Sequence, residues 1–98
     1  MNQWTFTYTP QWLKAIRNLD EEVFARLEEA FKIIATHGPR YRGLQSHALQ
    51  GVSDSKGNTI WVSYIDKRYR FTWTYTREKR QDITLRNCGD HDPTEDNP

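Results

Sequence analysis

The stretch from residue 68 to residue 76 most limits what this chain can fold into, because aromatic and polar side chains alternate along it. Side chains alternate between the two faces of a strand, so the pattern predicts a strand with one aromatic face and one polar face. The aromatic face consists of Tyr69, Phe71, Trp73 and Tyr75, and the polar face of Arg68, Arg70, Thr72, Thr74 and Thr76. We therefore expect Arg70 to lie in the middle of an open, polar sheet face.

The first forty residues predict one strand and two helices. Apolar residues alternate over residues 4–8, which is typical of a strand. Thr9-Pro10 follows as a helix cap and a first helical residue, so we predict a short helix over about residues 10–18. A longer helix is predicted from about residue 20 to the breaker pair at residues 38–39. Its apolar stripe consists of Val23, Leu27, Phe31 and Ile34.

The second half of the chain predicts a loop followed by three strands. The periodic pattern disappears over residues 40–57, and a loop of that length in a compact domain is usually functional or mobile. Strands are predicted at about residues 59–65, 68–76 and 81–88, joined by short turns into an antiparallel meander. The fold class is therefore α+β, with both helices packed on one face of an antiparallel sheet formed by the N-terminal strand and the meander.

Length and composition set the limits of the domain. A chain of 98 residues supports one modest core, and we predict a single domain over residues 1–92. The tail, residues 93–98, is acidic and bounded by prolines, and we expect it to be disordered. The single cysteine, Cys88, excludes an internal disulfide, and no group of Cys and His is spaced to hold zinc. With no signal peptide or membrane-spanning run, the sequence predicts a cytoplasmic protein with no cofactor, metal or membrane contact.

Charge is distributed unevenly, although the formal net charge is only +1. From Arg40 to Arg86 there are ten Lys or Arg residues against four Asp or Glu, a local excess of six positive charges. A basic middle of this kind suits a polyanionic ligand, and it equally suits a solvated sheet edge.

Two of the three histidines are candidates for chemistry. His37 lies in the last turn of the second predicted helix, where its charge complements the helix dipole. His47 lies in the predicted loop, and His91 follows Gly89 at the end of the last strand. Histidine has an unperturbed pKa of about 6.5, so it can donate or accept a proton near neutral pH.

Arginine supplies the other half of a phosphodiester site. A planar guanidinium can hold two phosphate oxygens at once, so His47, His91 and Arg70 would suffice for cleavage of RNA without a metal. Arg86 lies on the same predicted face as Thr84 and would add a second positive charge near Arg70. Arg86 is alternatively a cross-strand partner of an acid such as Asp66, or an exposed charge.

Three short motifs then occur in order, and they resemble a known family. They are His47-Ala48-Leu49-Gln50-Gly51, Tyr69-Arg70-Phe71-Thr72-Trp73 and Gly89-Asp90-His91. With the order of the predicted elements, the last two resemble the RelE/ParE superfamily of bacterial toxins. The first resembles the His-x-Leu-Gln-Gly signature of its YafQ-like branch. The resemblance spans about residues 4–92 and implies a RelE/ParE-like fold.

The resemblance also implies a function. It implies the toxin of a type II toxin–antitoxin system, an endoribonuclease that enters the ribosomal A site and cuts mRNA without a metal. Attack by the 2′-hydroxyl leaves a 2′,3′-cyclic phosphate, and translation is inhibited. A cognate antitoxin that folds around the toxin is implied as a protein partner.

Roles carry over from the family by motif. Arg70 takes the position of the arginine that grips the scissile phosphate, and His91 that of a general acid. His47 takes the position of a second acid–base group or phosphate ligand. We further predict that RNA is bound by Arg68, Arg86, Trp61, Tyr64 and Lys67.

The chain also departs from the family pattern. Tyr64 stands where the YafQ-like branch has a further histidine. The family usually places an aromatic residue near the end of the chain to stack on a base, and residues 93–98 contain none. Trp61, Tyr64 and Tyr41 are the candidates for that task.

Two other functions remain open. One is a non-nucleolytic toxin of the ParE type, which inhibits a target such as DNA gyrase. The other is an interaction module without catalytic activity, in which the histidines are incidental. The two candidate histidines, His47 and His91, favour cleavage over the ParE-type function, and the missing terminal aromatic residue keeps the interaction module open.

Overall fold

A five-stranded sheet and three α-helices form the fold, which a computed structural model describes over residues 3–98. The elements in chain order are β1 (Thr5–Tyr8), α1 (Pro10–Ile16), α2 (Glu21–His37), a 3-10 turn (Arg42–Leu44), β2 (His47–Ser53), β3 (Thr59–Tyr64), β4 (Tyr69–Tyr75), β5 (Asp82–Asp90) and α3 (His91–Asp96). The strand order is β1-β5-β4-β3-β2. Within residues 3–98 no helix is both long and apolar enough to cross a membrane.

The predicted α+β class and the three-strand meander are confirmed, but the sheet is mixed rather than antiparallel. Strands β2 to β5 pair antiparallel, whereas β1 pairs parallel with β5. The reason is topological, because α1 and α2 separate β1 from the meander. Strand β1 docks on the free edge of the last strand in the parallel sense.

Local features set the start of α1 and the end of α2. The Trp12 amide donates to Thr9 Oγ1 at 3.1 Å, so Thr9 caps α1 as predicted and Pro10 takes the first helical position. Helix α2 ends at Gly38, whose φ of +90° favours glycine. A Cβ on Gly38 would also lie 3.0 Å from Trp4 Nε1, so this helix end needs glycine for packing as well.

The core lies between the helices and the aromatic face of the sheet. Phe71 and Trp73 of β4 are fully buried there, as the alternation predicts. Phe31 of α2 is central, since its ring centroid lies 4.7 Å from Phe6 and 6.0 Å from Phe71. Burying a side chain of this size stabilises the fold by about 1.5–3 kcal/mol. The polar residues of β4, Arg70, Thr72 and Thr74, lie on the opposite face of the sheet.

The loop predicted over residues 40–57 is wrong over much of its length. Residues 47–53 form β2, which pairs with β3 at the edge of the sheet. The pairing shifts between Ala48 and Ser53, and most residues of β2 are exposed. An exposed, irregular edge strand has no alternating apolar pattern, so its sequence does not indicate a strand.

The prediction of a disordered tail is also wrong, because residues 91–96 form helix α3. Thr94 of α3 is buried against Gly89, where an added Cβ would lie 3.1 Å from Thr94 Oγ1. The main-chain oxygens of Asn97 and Pro98 accept hydrogen bonds from β4, β5 and α1. The prediction rests on the acidic, proline-containing composition of the tail. The tail is ordered by contacts with distant strands, which composition does not reveal.

Asp82 fastens β1 to the rest of the sheet. Its buried carboxylate accepts hydrogen bonds from the hydroxyls of Thr5, Thr7 and Thr76. Burial by itself would raise the pKa of Asp82, but these three hydrogen bonds outweigh burial and lower the pKa below its ordinary value. The carboxylate therefore stabilises the sheet in its charged form.

Candidate nucleic-acid interface

The polar face of the sheet brings together His47, Tyr64 and Arg70. Tyr64 pairs with Arg70 across β3 and β4, and His47 pairs with Val62 across β2 and β3. Residues that pair across antiparallel strands point to the same face, and so do residues two apart in one strand. The three side chains therefore lie on the face opposite the helices, as expected for His47 and Arg70.

Arg70 is buried on this face, so the expectation of an open surface around it is wrong. The residue is only 5% exposed, and its guanidinium carbon lies 3.5 Å from the centroid of the Tyr64 ring. Arg70 NH1 donates to the main-chain oxygens of Asp66 at 2.6 Å and Tyr69 at 3.1 Å. The cause of the burial is the cross-strand pairing that lays the Tyr64 ring over the guanidinium.

The charge of Arg70 is not neutralised within the described residues. None of the ion pairs over residues 3–98 involves Arg70, and its Nε is buried with no hydrogen-bond partner. A buried cation without a carboxylate costs several kcal/mol, of which a desolvated cation–π contact returns about 2 kcal/mol. Such a residue is suited to receive an anionic ligand.

His47 lies exposed at the start of β2, beside Tyr64. Its Nδ1 is 3.1 Å from the main-chain oxygen of Gln45, and its ring centroid is 6.4 Å from that of Tyr64. A carbonyl oxygen only accepts, so this contact assigns the proton of the neutral imidazole to Nδ1. Nε2 then carries the lone pair and can accept a proton.

His91 is the first residue of α3, and carboxylates of the same helix hold its ring. Its Nε2 lies 2.7 Å from Glu95 Oε2, and its Nδ1 lies 3.4 Å from Asp92 Oδ1. The main-chain N–H of His91 donates to the Arg68 carbonyl at 2.9 Å, and both residues line an open cleft of about 260 Å³. His91 thus stands at the end of the sheet, two residues beyond the Gly89 that pairs with Arg70.

The two basic residues before Arg70 lie at the β3–β4 turn. Lys67 is exposed there. Arg68 is also exposed, and its guanidinium binds both carboxylate oxygens of Asp90. The hydrogen bond from Arg68 lowers the pKa of Asp90, and the Asp90 carboxylate raises the pKa of Arg68. Within residues 3–98 Lys67 forms no ion pair, so its charge is less neutralised than that of Arg68.

Arg86 is the extra residue of a β-bulge in β5. Leu85 pairs with Trp73 and Asn87 pairs with Thr72, so Arg86 has no partner in the ladder. Arg86 Nε donates to the main-chain oxygen of Pro98 at 3.0 Å. The alternative pairing of Arg86 with Asp66 is not observed, because Asp66 binds Arg26 at 2.7 Å.

Trp61 lies on the other face of the sheet, away from Arg70. It pairs with Trp73, and the two rings stack with centroids 5.5 Å apart. The Arg40 guanidinium lies 5.0 Å from the centroid of the Trp61 ring. Of Trp61 and Tyr64, both expected at the site, Tyr64 is therefore the one on the same face as His47 and Arg70.

Thr72 and Asn87 also lie at the site, and sequence analysis did not single out either as functional. Thr72 is fully buried and pairs with Asn87, one position along the face from Arg70. A threonine in the polar alternation of β4 carries no signal of function.

Among residues 3–98, no three His, Cys, Asp or Glu side chains are grouped to hold a metal ion.

Comparison with known proteins identifies the fold. No protein-family model matches the chain, and no curated protein matches it. The RelE–RelB complex from Pyrococcus horikoshii is similar, with a TM-score of 0.67, 17% identity, and coverage of 92% of this chain and 96% of that chain. The Escherichia coli DinJ–YafQ toxin–antitoxin complex is similar with a TM-score of 0.64, 15% identity, and coverage of 91% and 93%.

A third solved structure agrees with these two. The YoeB dimer from Staphylococcus aureus has a TM-score of 0.65 with this chain, at 17% identity and coverage of 91% of this chain and 98% of that chain. The chain therefore has the fold of the RelE, YafQ and YoeB toxins, and the predicted RelE-like architecture is confirmed.

Proposed function

We propose that this chain, which has the fold of the RelE-type toxins, is the toxin of a type II toxin–antitoxin system and cleaves mRNA without a metal. The toxin role is supported by the fold, since two similar structures are complexes of a toxin-fold chain with its partner, RelE–RelB and DinJ–YafQ. The cleavage is supported by the polar sheet face, where an arginine and a histidine lie together.

The observation that carries the proposal is the buried, unneutralised guanidinium of Arg70. A phosphate would supply the missing negative charge, and a guanidinium binds phosphate oxygens in a planar, two-point geometry. In the transition state of RNA cleavage the phosphorus group gains negative charge, so a preorganised cation at this place stabilises that state most.

His47 and His91 are assigned the two proton transfers. His47 Nε2, with its lone pair free, accepts the proton of the 2′-hydroxyl. The 2′-oxygen then bonds to phosphorus, and the bond from phosphorus to the 5′-oxygen breaks. His91, protonated and held by Asp92 and Glu95, donates its proton to the departing 5′-oxygen. The products are a 2′,3′-cyclic phosphate and a 5′-hydroxyl, and atoms and charges balance without a cofactor.

The substrate is proposed to be mRNA in the ribosomal A site. Lys67 and Arg68 are exposed at the turn that leads to Arg70, where they can contact the phosphates that flank the cleaved bond. The excess of positive charge between residues 40 and 86 also suits an acidic segment of an antitoxin, which would cover this face. Because this binding depends on opposite charges, the association rate of toxin and antitoxin should fall as the salt concentration rises.

The test is cleavage of ribosome-bound mRNA by purified protein, with the new 5′ ends mapped by primer extension. We expect the wild type to cut and Arg70→Ala to be inactive. Arg80→Ala is the matched control, because Arg80 is exposed in the β4–β5 turn far along the chain from the site. Cutting by Arg70→Ala at the wild-type rate would refute the proposal. Growth arrest without any cut, relieved by a resistant gyrase, would instead establish the ParE-type function.

A further inference from the structure

The end of the chain lies across the polar sheet face and binds it through main-chain oxygens. The Pro98 oxygen accepts hydrogen bonds from Thr72 Oγ1 and Arg86 Nε, both at 3.0 Å. The Asn97 oxygen accepts from Asn87 Nδ2 at 2.8 Å and from Gln11 Nε2 at 3.2 Å. Four donors from α1, β4 and β5 therefore converge on two oxygens of residues 97–98, which we call the strap.

Three of these donors suit a phosphate at least as well as they suit the strap. Hydroxyl, amide and guanidinium groups are the usual partners of phosphate oxygens in nucleic-acid complexes. Within residues 3–98, no Asp or Glu carboxylate forms an ion pair with Arg86. A phosphate would keep the hydrogen bonds and would bring its negative charge to Arg86.

The place of these donors relative to Arg70 matches the repeat of an RNA strand. Thr72 lies two residues beyond Arg70 on the same face of β4, which is roughly 7 Å along the strand. Neighbouring phosphates of an extended RNA strand are separated by a similar distance. A strand of RNA whose scissile phosphate lies on Arg70 would therefore bring the next phosphate to Thr72, Arg86 and Asn87.

We propose that Thr72, Arg86 and Asn87 form a second phosphate subsite beside Arg70, and that the strap occupies this subsite in the free protein. RNA must displace residues 97–98 to bind both positions. The strap is thus an internal competitor of the substrate. This inference rests on the proposed function, because it takes RNA as the ligand of the polar face.

The structure offers variants that separate the strap from the subsite. Gln11 contacts the strap and is not part of the subsite, so Gln11→Ala loosens the strap and leaves every phosphate donor in place. A variant that ends at Asp96 removes the strap and keeps α3. Arg86→Ala removes a subsite donor instead. If the strap competes with RNA, Gln11→Ala and the variant that ends at Asp96 should raise the affinity for RNA. Arg86→Ala should lower it.

The experiment measures the Kd of a short 2′-O-methyl oligoribonucleotide, which cannot be cleaved, at fixed salt. We expect Gln11→Ala and the variant ending at Asp96 to tighten binding by about two- to tenfold, the range set by one or two ordinary hydrogen bonds. Arg86→Ala should weaken binding by about tenfold or more and should cancel the gain from removing the strap. Gln3→Ala, at an exposed glutamine before β1, is the matched control and should leave the Kd unchanged.

Failure of this inference and failure of the proposed function give different results. If mRNA is cut normally but neither strap variant tightens binding while both melt like the wild type, the strap is not a competitor. If no variant cuts mRNA but the strap variants still tighten RNA binding, the subsite stands and the nuclease proposal falls. Absence of RNA binding by every variant would overturn both. Gln11→Ala keeps the full chain, so the test holds even where shortening the chain destabilises α3.

Discussion

The Arg70 guanidinium lies over the Tyr64 ring, with 3.5 Å between the ring centroid and the guanidinium carbon. The sequence alone does not reveal this contact, because it depends on the pairing of β3 with β4. This contact keeps the charged Arg70 guanidinium buried, and its Nε has no hydrogen-bond partner. The protein therefore bears a cost in stability at the place where we propose that phosphate binds.

That cost predicts that Arg70→Met is more stable than the wild type. Burying the charge costs several kcal/mol, which the cation–π contact with Tyr64 (roughly 2 kcal/mol) and the two hydrogen bonds from NH1 offset only in part. We expect Arg70→Met to raise the free energy of unfolding by about 1 kcal/mol or more, and to abolish cleavage. Urea denaturation at pH 7 measures the first effect. Arg80→Met, at an exposed arginine, should stay within about 0.5 kcal/mol of the wild type, and a less stable Arg70→Met would contradict the argument.

The three histidines should differ in their effect on cleavage. His91→Gln should slow single-turnover cleavage of ribosome-bound mRNA by about 10²–10⁴-fold, the usual contribution of general acid catalysis. His47→Gln should lose a comparable factor if Nε2 is the base. His37→Gln is the control, because this exposed residue at the end of α2 stacks near Tyr41 and contributes about 1 kcal/mol or less to stability. Wild-type rates for His91→Gln would remove the acid assignment.

Asp82 should make the fold sensitive to acid. Its pKa is lower in the folded protein than in the unfolded chain, so its stabilising effect is complete above the ordinary pKa of 3.8. That effect is lost as the pH falls through the folded-state pKa. Asp82→Asn should lower the free energy of unfolding at pH 7 by about 1.5–3 kcal/mol, the range for hydrogen bonds to a charged group.

Urea titrations at pH 7, 5 and 3 give the measurement. The difference between Asp82→Asn and the wild type should shrink towards pH 3, because below the ordinary pKa of 3.8 the Asp82 carboxyl of the unfolded chain takes up a proton before that of the folded protein does. Asp20→Asn is the control, since the exposed Asp20 side chain makes no capping hydrogen bond to α2. A difference that stays constant from pH 7 to pH 3 would show that the charge of Asp82 is not the source of the stability.

Cys88 should resist thiol reagents in the folded protein. Burial raises the pKa of the Cys88 thiol to about 12, and the side chain lies in the core cluster with Phe71 and Leu85. Because the thiolate is the reactive form, we expect slow labelling at pH 8 and rapid labelling in concentrated urea. The ratio of the two rates reports opening of the core. Fast labelling without urea would mean that β5 opens readily at this position.

Local patterns predicted the elements that local forces determine. The alternation of β4, the apolar stripe of α2 and the Thr9 cap all concern residues close in sequence, and the structure contains each of them. Strand β2 was not predicted, because it is an exposed edge with a pairing shift and so lacks alternation. Helix α3 was not predicted, because the contacts that order it reach to β5 and α1.

The candidate site was predicted only in part. Motifs indicated His47, Arg70 and His91, and the structure places the first two on one face. The burial of Arg70 under Tyr64 depends on strand register, which a single strand does not specify. The bulge at Arg86 and the strap over Thr72 likewise depend on partners that are distant in sequence, so no pattern around either residue indicates them.

The parallel pairing of β1 with β5 has a consequence for the order in which the protein acquires its structure. Thr5 and Asp82 are 77 positions apart, so the first strand has no place in the sheet until the last strand exists. Contacts of such wide separation form late and slowly. Arg86 lies in β5, so during synthesis the polar face that carries Arg70 and Arg86 is complete only after β5 has left the ribosome.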